Sequence, residues 1–404
     1  MHEHKIAIIG AGITGISIAR ACQQAGISYD WYEKESEPGG LLRTDCIDGF
    51  ALDHGFQVLQ SGYTHLKELY ASKPYSSYCS YARGAWMLRK GSRSLLSHPG
   101  EGVHSFFKTL INQDLSLGDK VKVLLLQRFV ANLSEQDWQN RPQLQQTSMA
   151  FLQSFGFSAN AIDRFFKPWF SGVFLEPDLS SPASLFCLFY KAFSQGGVLL
   201  PPGGIQQFPR DLVFDLPEGN RYWGKEVNPH FNGKHWEIEG KPYSHVVWAA
   251  GSYSPNSEDV PFRSAETLYF ACDQEAGLGR YLALNSSDSP LIQTLSIPSN
   301  VETSYAPAGQ CLWSIQLRPT AFGADENEVW AECQQLIGAS LNGRFLKRYR
   351  INRALPELHE LDFTCSPECD ASGLYYAGAQ QGYPSLQSAW LSGQAWVRNL
   401  SLNQ

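Results

Sequence analysis

Three glycines near the start of the chain have the spacing that can cradle a phosphate. Gly10, Gly12 and Gly15 follow a short apolar run, residues 5–9, that is typical of a strand. The first glycine permits a tight turn, the second lets backbone N–H groups approach a pyrophosphate, and the third lets the next helix pack on the strand. The helix N-terminus adds unpaired donors and a positive dipole end. This pattern predicts a dinucleotide site.

The elements that must position this turn follow in the expected order. Residues 16–25 have helical character, Gly26 stands where a helix C-cap is expected, and residues 27–32 have strand character. Glu33 follows that strand, where its carboxylate can accept hydrogen bonds from an adenosine ribose. Because strand, turn, helix, strand and acid occur together, the chain is expected to start with a dinucleotide-binding α/β fold.

A pair of adjacent glycines further along the chain indicates which dinucleotide is bound. The segment EKESEPGGLLRT, residues 33–44, carries Gly39, Gly40 and Arg43. This GG-x-x-R arrangement resembles the flavin-binding signature of the FAD-dependent amine oxidase and phytoene desaturase superfamily. The resemblance implies that Gly40 and Leu41 lie against FAD and that Arg43 adds charge-assisted hydrogen bonds. The alternative for Arg43 is a solvated surface charge.

Other segments resemble the same superfamily over nearly the whole chain. GFALDHGFQVLQSGY, residues 49–63, resembles the segment beneath the flavin, and SHVVWAAG, residues 244–251, resembles the turn that closes over the cofactor. Val227 matches a position whose backbone holds adenine. It is expected on a strand that forms a hairpin with residues 236–238 through an Asn232–Gly233 turn.

The C-terminal segment GLYYAGAQQGYPSLQSAW, residues 373–390, resembles the last strand and helix of that fold. A strand is expected at residues 375–377 and a helix from about residue 385. In the family, backbone N–H groups at positions matching Leu386 and Gln387 meet the pyrimidine end of the flavin. The family usually has an acid after Gly378, whereas this chain has Ala379, with Gln380 as a substitute contact.

The resemblance therefore implies an α/β architecture in which a Rossmann-like FAD-binding domain of the amine-oxidase type is interleaved with a mixed α+β substrate domain. The first comprises residues 1–59, 200–258 and 355–404, and the second comprises residues 60–199 and 259–354. The residues expected to contact FAD are Gly10, Gly12, Ile13, Thr14, Gly15, Glu33, Lys34, Gly40, Leu41, Arg43, Gly55, Phe56, Gln57, Val227, Ala250, Gly251, Gly378, Ala379, Leu386, Gln387 and Ala389.

The substrate domain is expected to be mainly helical before residue 200 and mixed after residue 259. Ser116 and Asp119 have the spacing of a helix N-terminal cap. Periodicity predicts these elements: helices at 63–71, 103–111, 116–133, 148–155, 159–170, 183–193 and 326–341, and strands at 267–271, 281–285 and 311–317.

Catalytic residues are harder to predict because a flavin performs the hydride chemistry while the protein shapes its pocket. The polar candidates are Gln57, His54 and Tyr305, and His54 can equally be a structural imidazole. The family amine oxidases have a lysine that TLYFACDQ, residues 267–274, lacks, and their cage tyrosine position falls on Ser385. No cysteine stands where monoamine oxidases attach flavin, so FAD is expected to be non-covalent.

Composition bounds the function. The net charge of −7, without a long basic run, disfavours a nucleic-acid partner. The nine cysteines form no zinc-site pattern, so no metal is expected, and no apolar run reaches transmembrane length. We expect a cytoplasmic oxidoreductase, with peripheral membrane contact left open, that oxidises, desaturates or isomerises an apolar or amphipathic small molecule. The alternatives are an amine oxidase with an altered site and a non-catalytic flavin-binding protein. The sequence does not predict the oligomeric state.

Overall fold

The computed structural model describes residues 5–97, 115–250, 260–358 and 360–402. The chain divides into two compact units. The first unit comprises Met1–Arg43, Gln206–Phe262 and Pro356–Gln404, and the second comprises Thr44–Ile205 and Arg263–Leu355. Among the described residues, no helix is both long and apolar enough to cross a membrane.

The strands of the first half of the chain are β1 (Ile6–Ile9), β2 (Tyr29–Tyr32), β3 (Thr44–Ile47), β4 (Phe50–Asp53), β5 (Leu59–Gln60), β6 (Cys79–Ser80), β7 (Gly84–Arg89), β8 (Ser92–Ser97) and β9 (Val198–Leu200). Those of the second half are β10 (Arg221–Tyr222), β11 (His230–Phe231), β12 (Trp236–Ile238), β13 (Lys241–Tyr243), β14 (His245–Trp248), β15 (Phe262–Cys272), β16 (Leu282–Asn285), β17 (Ile292–Ser296), β18 (Cys311–Leu317), β19 (Gly343–Pro356), β20 (Glu368–Cys369) and β21 (Tyr375–Tyr376).

The α-helices are α1 (Ile13–Ala25), α2 (Lys67–Ala71), α3 (Leu117–Ala131), α4 (Glu135–Asn140), α5 (Ser148–Ser154), α6 (Ala159–Ala161), α7 (Lys167–Phe174), α8 (Ala183–Gln195), α9 (Gln207–Val213), α10 (Pro298–Val301), α11 (Glu326–Ile337) and α12 (Leu386–Leu402). A π-helical turn, Ile162–Phe166, joins α6 to α7. Short 3₁₀ turns lie at Thr64–Leu66, Tyr75–Ser77, Pro142–Leu144, Thr303–Tyr305, Pro319–Ala321 and Ala379–Gln381.

The first unit contains a six-stranded sheet of order β10-β2-β1-β14-β21-β20, parallel except for β20. The central strands β1 and β14 are largely apolar, as expected for parallel strands buried on both faces. Helix α12 packs closely on α1, because a Cβ atom added at Gly393 would lie 2.7 Å from the Thr14 carbonyl oxygen. The Ser17 hydroxyl also donates to the Trp390 carbonyl at 2.7 Å.

Several predicted elements of the first unit are confirmed, and one is wrong. Gly26 ends α1 in the left-handed conformation, with φ of 68°. The hairpin around Asn232 and Gly233 forms between β11 and β12. Val227, however, does not lie on a strand: it is a buried loop residue that packs with Tyr32 and Trp236 in one apolar cluster. A loop can therefore bury Val227 as well as a strand can.

The second unit contains a seven-stranded mixed sheet of order β19-β15-β18-β17-β16-β7-β8. Helix α11 covers it with Val329, Cys333 and Leu336, which are fully buried in the apolar cluster that includes Trp313 and Ile315. The predicted strand at residues 311–317 is confirmed with the same bounds. This unit therefore has its own hydrophobic core.

The helical part of the second unit agrees only partly with the predictions. Ser116 and Asp119 form the predicted capping box of α3. The predicted helix at residues 159–170 is instead divided by the π-helical turn and continues to Phe174. The β7–β8 hairpin, whose turn is Lys90–Gly91, is not among the predicted elements. The helix predicted at residues 103–111 lies outside the described residues.

Residues 44–59 lie in the second unit, although the sequence assigned them to the first domain. They contain the β3–β4 hairpin, whose last residue, Asp53, accepts hydrogen bonds from Ile205 N at 2.9 Å and from the Tyr305 hydroxyl at 2.9 Å. Both partners belong to the second unit. These hydrogen bonds join the β3–β4 hairpin to the second unit, and sequence resemblance does not reveal them.

Candidate functional site

The glycine-rich turn after β1 depends on residues without a side chain. Gly10 has a φ of 104°, and a Cβ atom added there would lie 2.9 Å from the backbone of Ala249 and Ala250. Its N–H donates to the Tyr32 carbonyl at 2.7 Å, and its carbonyl accepts from Trp31 Nε1 at 2.9 Å. Glycine is therefore required at this position, because a side chain would collide with the end of β14.

Two stretches of bare backbone face each other beside this turn. A Cβ atom added at Gly12 would lie 3.7 Å from Gly40 Cα, and one added at Gly40 would lie 3.0 Å from Gly12 Cα. The loop that carries Gly40 is joined to the turn because Gly39 N donates to the Ala11 carbonyl at 2.9 Å. We call Gly10, Gly12, Gly39 and Gly40 the glycine cradle.

Helix α1 begins at the glycine cradle with its first turn uncapped by a side chain. Its N-cap residue is Gly12, and its first turn contains no acid. Ile13 and Thr14 are buried in this turn, and Gly15 packs so closely that an added Cβ would lie 1.9 Å from the Gly10 carbonyl oxygen. The N-terminal amides of α1 are thus available to an anion, which the helix dipole favours.

Glu33 joins the parts of the cradle. Its side chain is buried, with 8% exposure. One carboxylate oxygen accepts from Ala11 N at 2.6 Å, and the other accepts from Glu35 N at 3.0 Å. A carboxylate has about four acceptor sites, so it can still accept hydrogen bonds from a ligand. The sequence pattern predicts the position of Glu33 after β2 but does not indicate this structural role.

Arg43 is paired with an acid on the same loop. Its guanidinium lies 2.9 Å from a Glu35 carboxylate oxygen, and both side chains are partly exposed. The hydrogen bond from Arg43 lowers the pKa of Glu35. Nearby, Lys34 and Leu41 are exposed. Arg43 is therefore positioned by an ion pair rather than solvated alone, and it lies on the loop of the glycine cradle.

The end of β14 closes the sheet side of the cradle. Ala249 N donates to the Ile9 carbonyl at 2.7 Å, which keeps the Ala249–Ala250 backbone against Gly10. Gly251 lies outside the described residues. The structure therefore brings Ala250 to the glycine cradle, as the site prediction requires.

The C-terminal segment has a dense hydrogen-bond network of its own. Gly378 N donates to Ser392 Oγ at 3.0 Å, and the Gln380 side chain folds back against Gly378. At the start of α12, Ser385 Oγ accepts from Ser388 N at 2.9 Å, so Ser385 caps the helix. The position where the resemblance places the family's cage tyrosine is therefore occupied by a serine that caps the helix.

The predicted flavin contacts on this segment have different exposures. Gln387 is buried and its amide donates to the Tyr383 hydroxyl at 2.7 Å, whereas Leu386, Ala379 and Ala389 are partly exposed. The Gln387 side chain is thus engaged within the protein. A ligand contact at Gln387 would therefore have to use its backbone, as the resemblance implies.

His54 belongs to a polar cluster in the second unit. Its Nε2 lies 3.0 Å from an Asp45 carboxylate oxygen, and its ring is stacked on Tyr349 with centroids 4.6 Å apart. Asp45 also accepts from the Tyr349 hydroxyl at 2.6 Å and from Lys347 Nζ at 3.2 Å. Desolvation opposes ionisation of Asp45, but these hydrogen bonds outweigh it and lower its pKa to about 2.

The residues after His54 are held by backbone contacts. Gln57 Nε2 donates to the His54 carbonyl at 2.9 Å, Phe56 N donates to Thr267 Oγ1 at 3.2 Å, and the Gly55 carbonyl accepts from the Tyr269 hydroxyl at 3.1 Å. His54 is therefore a hydrogen-bonded imidazole in a fixed loop. Its role in catalysis, and that of Gln57, stay predictions.

Tyr305 contacts a buried acid that the sequence analysis did not single out. Asp53 is 4% exposed and accepts hydrogen bonds from the Tyr305 hydroxyl at 2.9 Å, Thr44 Oγ1 at 2.7 Å and Ile205 N at 2.9 Å. Burial raises the pKa of Asp53 to about 6, although the three hydrogen bonds favour the carboxylate. The only sequence signal was an acid at the end of an apolar strand. The catalytic role suggested for Tyr305 stays a prediction.

Within the described part of the chain, no group of three or more His, Cys, Asp and Glu side chains could hold a metal ion. The nine cysteines are free thiols. The groups around the glycine cradle that could bind a ligand are therefore backbone amides, the buried acid Glu33 and Arg43.

Residues 13–228 match the family model described as flavin containing amine oxidoreductase. The chain belongs to this family. It is accordingly a flavin-dependent oxidoreductase, and the matched region contains α1, the Glu33 position and the loop of the glycine cradle.

Solved structures with the same fold cover nearly the whole chain. A putrescine oxidase solved with putrescine has a TM-score of 0.70 and 15% identity and covers 99% of both chains. A reduced UDP-galactopyranose mutase has a TM-score of 0.65 and 15% identity and covers 99% of this chain and 96% of that one. An oxidoreductase from Methanosarcina mazei has a TM-score of 0.66 and 20% identity and covers 98% and 100%. At these identities the similarity is one of fold.

A curated relative matches only a short segment. The tRNA 5-methylaminomethyl-2-thiouridine biosynthesis bifunctional protein MnmC of Magnetococcus marinus is 36% identical over 74 residues, which is 16% of this chain and 11% of that protein. The chain therefore spans only a small part of that relative.

Proposed function

We propose that this oxidoreductase binds FAD non-covalently, with the pyrophosphate in the glycine cradle of the first unit. The observation that carries the proposal is the start of α1 at Gly12, which no side chain caps and which lies in backbone contact with Gly40, since an added Gly12 Cβ would lie 3.7 Å from Gly40 Cα. A pyrophosphate needs amide donors and close backbone approach, and the uncapped start of α1 supplies both. The residues present thus fit a dinucleotide.

Side chains and backbone groups of the first unit would together hold the two ends of the cofactor. Glu33 would accept hydrogen bonds from the adenosine ribose while still bonded to Ala11 N. Arg43 would add positive charge beside the phosphates. Val227 would offer its backbone to adenine. At the other end, backbone amides at the start of α12, at Leu386 and Gln387, would favour negative charge on the flavin.

The reaction that we propose is hydride removal from an apolar or amphipathic small molecule, as oxidation, desaturation or isomerisation. A bound flavin supplies the hydride acceptor, and the protein contributes binding, orientation and local charge. The resemblance to phytoene desaturases supports this substrate class. The lack of lysine in β15, where family amine oxidases have one, also supports it.

Amine oxidation with an altered site is the second candidate. The match to the flavin containing amine oxidoreductase family favours it, and a putrescine oxidase is among the proteins with this fold. Against it, Ser385 caps α12 where the family has an aromatic cage residue. A non-catalytic flavin protein would require the same cofactor site without turnover.

The test is to purify the protein, record its visible spectrum, denature it and identify the released flavin by mass spectrometry. We expect intact FAD in the supernatant. Flavin that stays attached to the polypeptide, or FMN in place of FAD, would contradict the proposed cofactor.

The same preparation distinguishes the reactions. Under anaerobic conditions, we expect fractions of apolar metabolites to bleach the flavin absorbance and a panel of primary and secondary amines to leave it unchanged. Bleaching by amines alone would favour the second candidate. A flavin that no fraction reduces, while dithionite does, would favour the non-catalytic alternative.

A further inference from the structure

One helix of the second unit presents an apolar face to solvent. On α3, Leu117 is 75% exposed, Val121 56%, Leu124 61% and Leu125 53%. Half of the eight exposed large hydrophobic side chains of the described residues lie on this helix. Their spacing places them on one stripe about 100° wide. We call these four residues the apolar stripe.

The opposite face of α3 attaches the helix to its unit. Leu126 and Val130 are fully buried, and the Phe129 ring lies 5.9 Å from the rings of Phe151 and Phe155. The helix therefore has a separate face for the core. The apolar stripe contributes little to packing in the described structure, so its composition calls for another explanation.

The exposed charges of α3 are positive. Lys120, Lys122 and Arg128 are its basic residues, and each is at least partly exposed. Its single acid, Asp119, is buried and accepts hydrogen bonds from Ser116 and Ser158. Arg128 follows Leu124 by four residues and so extends the stripe, while Lys120 and Lys122 lie on its two sides by helical geometry. This basic helix is unusual in a chain whose net charge is −7.

We propose that the apolar stripe of α3 docks on a lipid bilayer with anionic headgroups. The four aliphatic side chains would enter the boundary between headgroups and acyl chains, as in interfacial helices with basic flanks. Lys120 and Arg128 would extend to the anionic headgroups beside them, whereas Lys122 Nζ donates to the Gly156 carbonyl. A protein partner is less well matched, because energetically dominant interface residues are enriched in Trp, Tyr and Arg and poor in Leu and Val.

The test is cosedimentation of the full chain with vesicles of phosphatidylcholine, with and without phosphatidylglycerol. We expect binding to the vesicles that contain phosphatidylglycerol and weaker binding to phosphatidylcholine alone. The double variant Leu124→Gln/Leu125→Gln should lower the partition coefficient at least about tenfold, because both apolar side chains leave the bilayer. Arg128→Gln should lower it about fivefold.

The matched control is Phe214→Gln, which removes an 88%-exposed apolar side chain from the first unit and should leave binding unchanged. Circular dichroism should give the same helix content for all variants, since the altered side chains face solvent. A wild-type chain that binds neither vesicle, or a double variant that binds as well as wild type, would overturn the proposal. Equal binding to both vesicles would overturn its electrostatic part. A double variant that changes only the oligomeric state would assign the stripe to self-association instead.

Discussion

Two buried carboxylates, Glu33 in the first unit and Asp53 in the second, lie at the ends of strands and differ in where their hydrogen-bond donors come from in the sequence. Glu33 follows β2 and accepts two backbone amides, from Ala11 and Glu35, which are 22 and 2 residues away in sequence. Asp53 ends β4 and accepts from Ile205 and Tyr305, which are 152 and 252 residues away. The glycine cradle of the first unit is thus local and built from backbone, whereas Asp53 accepts hydrogen bonds from the nearby Thr44 hydroxyl and from two groups far away in sequence, the Ile205 amide and the Tyr305 hydroxyl.

Because of this difference, the glycine cradle and the Asp53 cluster should be sensitive to different changes. The cradle needs the absence of side chains, so adding a methyl group should affect either packing or ligand binding, depending on the glycine. The Asp53 cluster needs a particular charge state, so pH should affect it.

The largest effect is expected for Gly15→Ala. The new Cβ atom would lie 1.9 Å from the Gly10 carbonyl oxygen, so α1 must move away from β1. We expect a loss of about 3 kcal/mol or more in the free energy of unfolding of the first unit, in the upper range for overpacking. Urea denaturation of wild type and variant measures it.

Gly219→Ala is the control for this substitution. No atom of the described residues lies within 4 Å of its added Cβ, so its denaturation midpoint should match that of wild type. If Gly15→Ala also matched wild type, the close packing of α1 on the glycine turn would be refuted.

The second prediction concerns pH and Asp53. Its pKa is raised from 3.8 to about 6, so the folded state binds more protons than the unfolded state between these values. Stability should therefore fall as pH rises from about 4 to about 6, by about 3 kcal/mol at most, from 1.36 kcal/mol per pKa unit. Denaturation curves across this range measure the slope for wild type and for Asp53→Asn.

Asp53→Asn is a suitable comparison because its carbonyl oxygen can still accept from Thr44 and Ile205, while the Tyr305 hydroxyl can turn to accept from its amide. The variant should lack the Asp53 part of the slope. Identical slopes for the two proteins would show that Asp53 ionises equally in the folded and unfolded states and would remove the electrostatic side of the contrast.

The smallest effect on stability is expected for Arg43→Ala. The ion pair with Glu35 is partly exposed, and such pairs contribute about 0–1 kcal/mol. FAD affinity should fall by about 1.5–3 kcal/mol, because a charge-assisted hydrogen bond to phosphate is lost. Fluorescence titration of apo-protein with FAD measures this affinity. Arg221→Ala would be an unsuitable control, because the Arg221 guanidinium donates hydrogen bonds to the Val213 and Leu216 carbonyls. Unchanged affinity would place Arg43 away from the phosphates.

The parts of the fold that could be predicted from sequence are those with local causes. The position of Gly26, the capping box of Ser116 with Asp119, and the strand at residues 311–317 each follow from a short pattern. The glycine turn was readable for the same reason, because only glycine fits at Gly10.

Features that depend on distant partners were not predicted. The hairpin pattern predicts a strand at Val227, but Val227 lies in a loop and is buried by its contacts with Tyr32 and Trp236. The Asp53 cluster and the assignment of residues 44–59 to the second unit depend on Ile205 and Tyr305. Likewise, the hydrogen bond from the Gln387 amide to the Tyr383 hydroxyl gives Gln387 a structural role that the C-terminal motif does not indicate.

Glu33→Ala is a less direct test of the cofactor site than sequence alone suggests. It would remove the ribose contact, but it would also leave Ala11 N and Glu35 N without their acceptor. A loss of FAD would therefore combine a binding effect with damage to the cradle. A substitution that fills the cradle without disturbing it is preferable.

The most direct measurement is the flavin-to-protein ratio of purified Gly12→Ala. Gly12 has φ of −75°, which alanine adopts freely, and the new Cβ would lie 3.7 Å from Gly40 Cα, an ordinary contact. The apo-protein should thus unfold at the wild-type midpoint, while the methyl group would stand at the start of α1, where we propose that the pyrophosphate binds. We predict that FAD affinity falls at least about tenfold, or 1.4 kcal/mol. Full FAD occupancy with wild-type affinity in Gly12→Ala would contradict the placement of the cofactor in the glycine cradle.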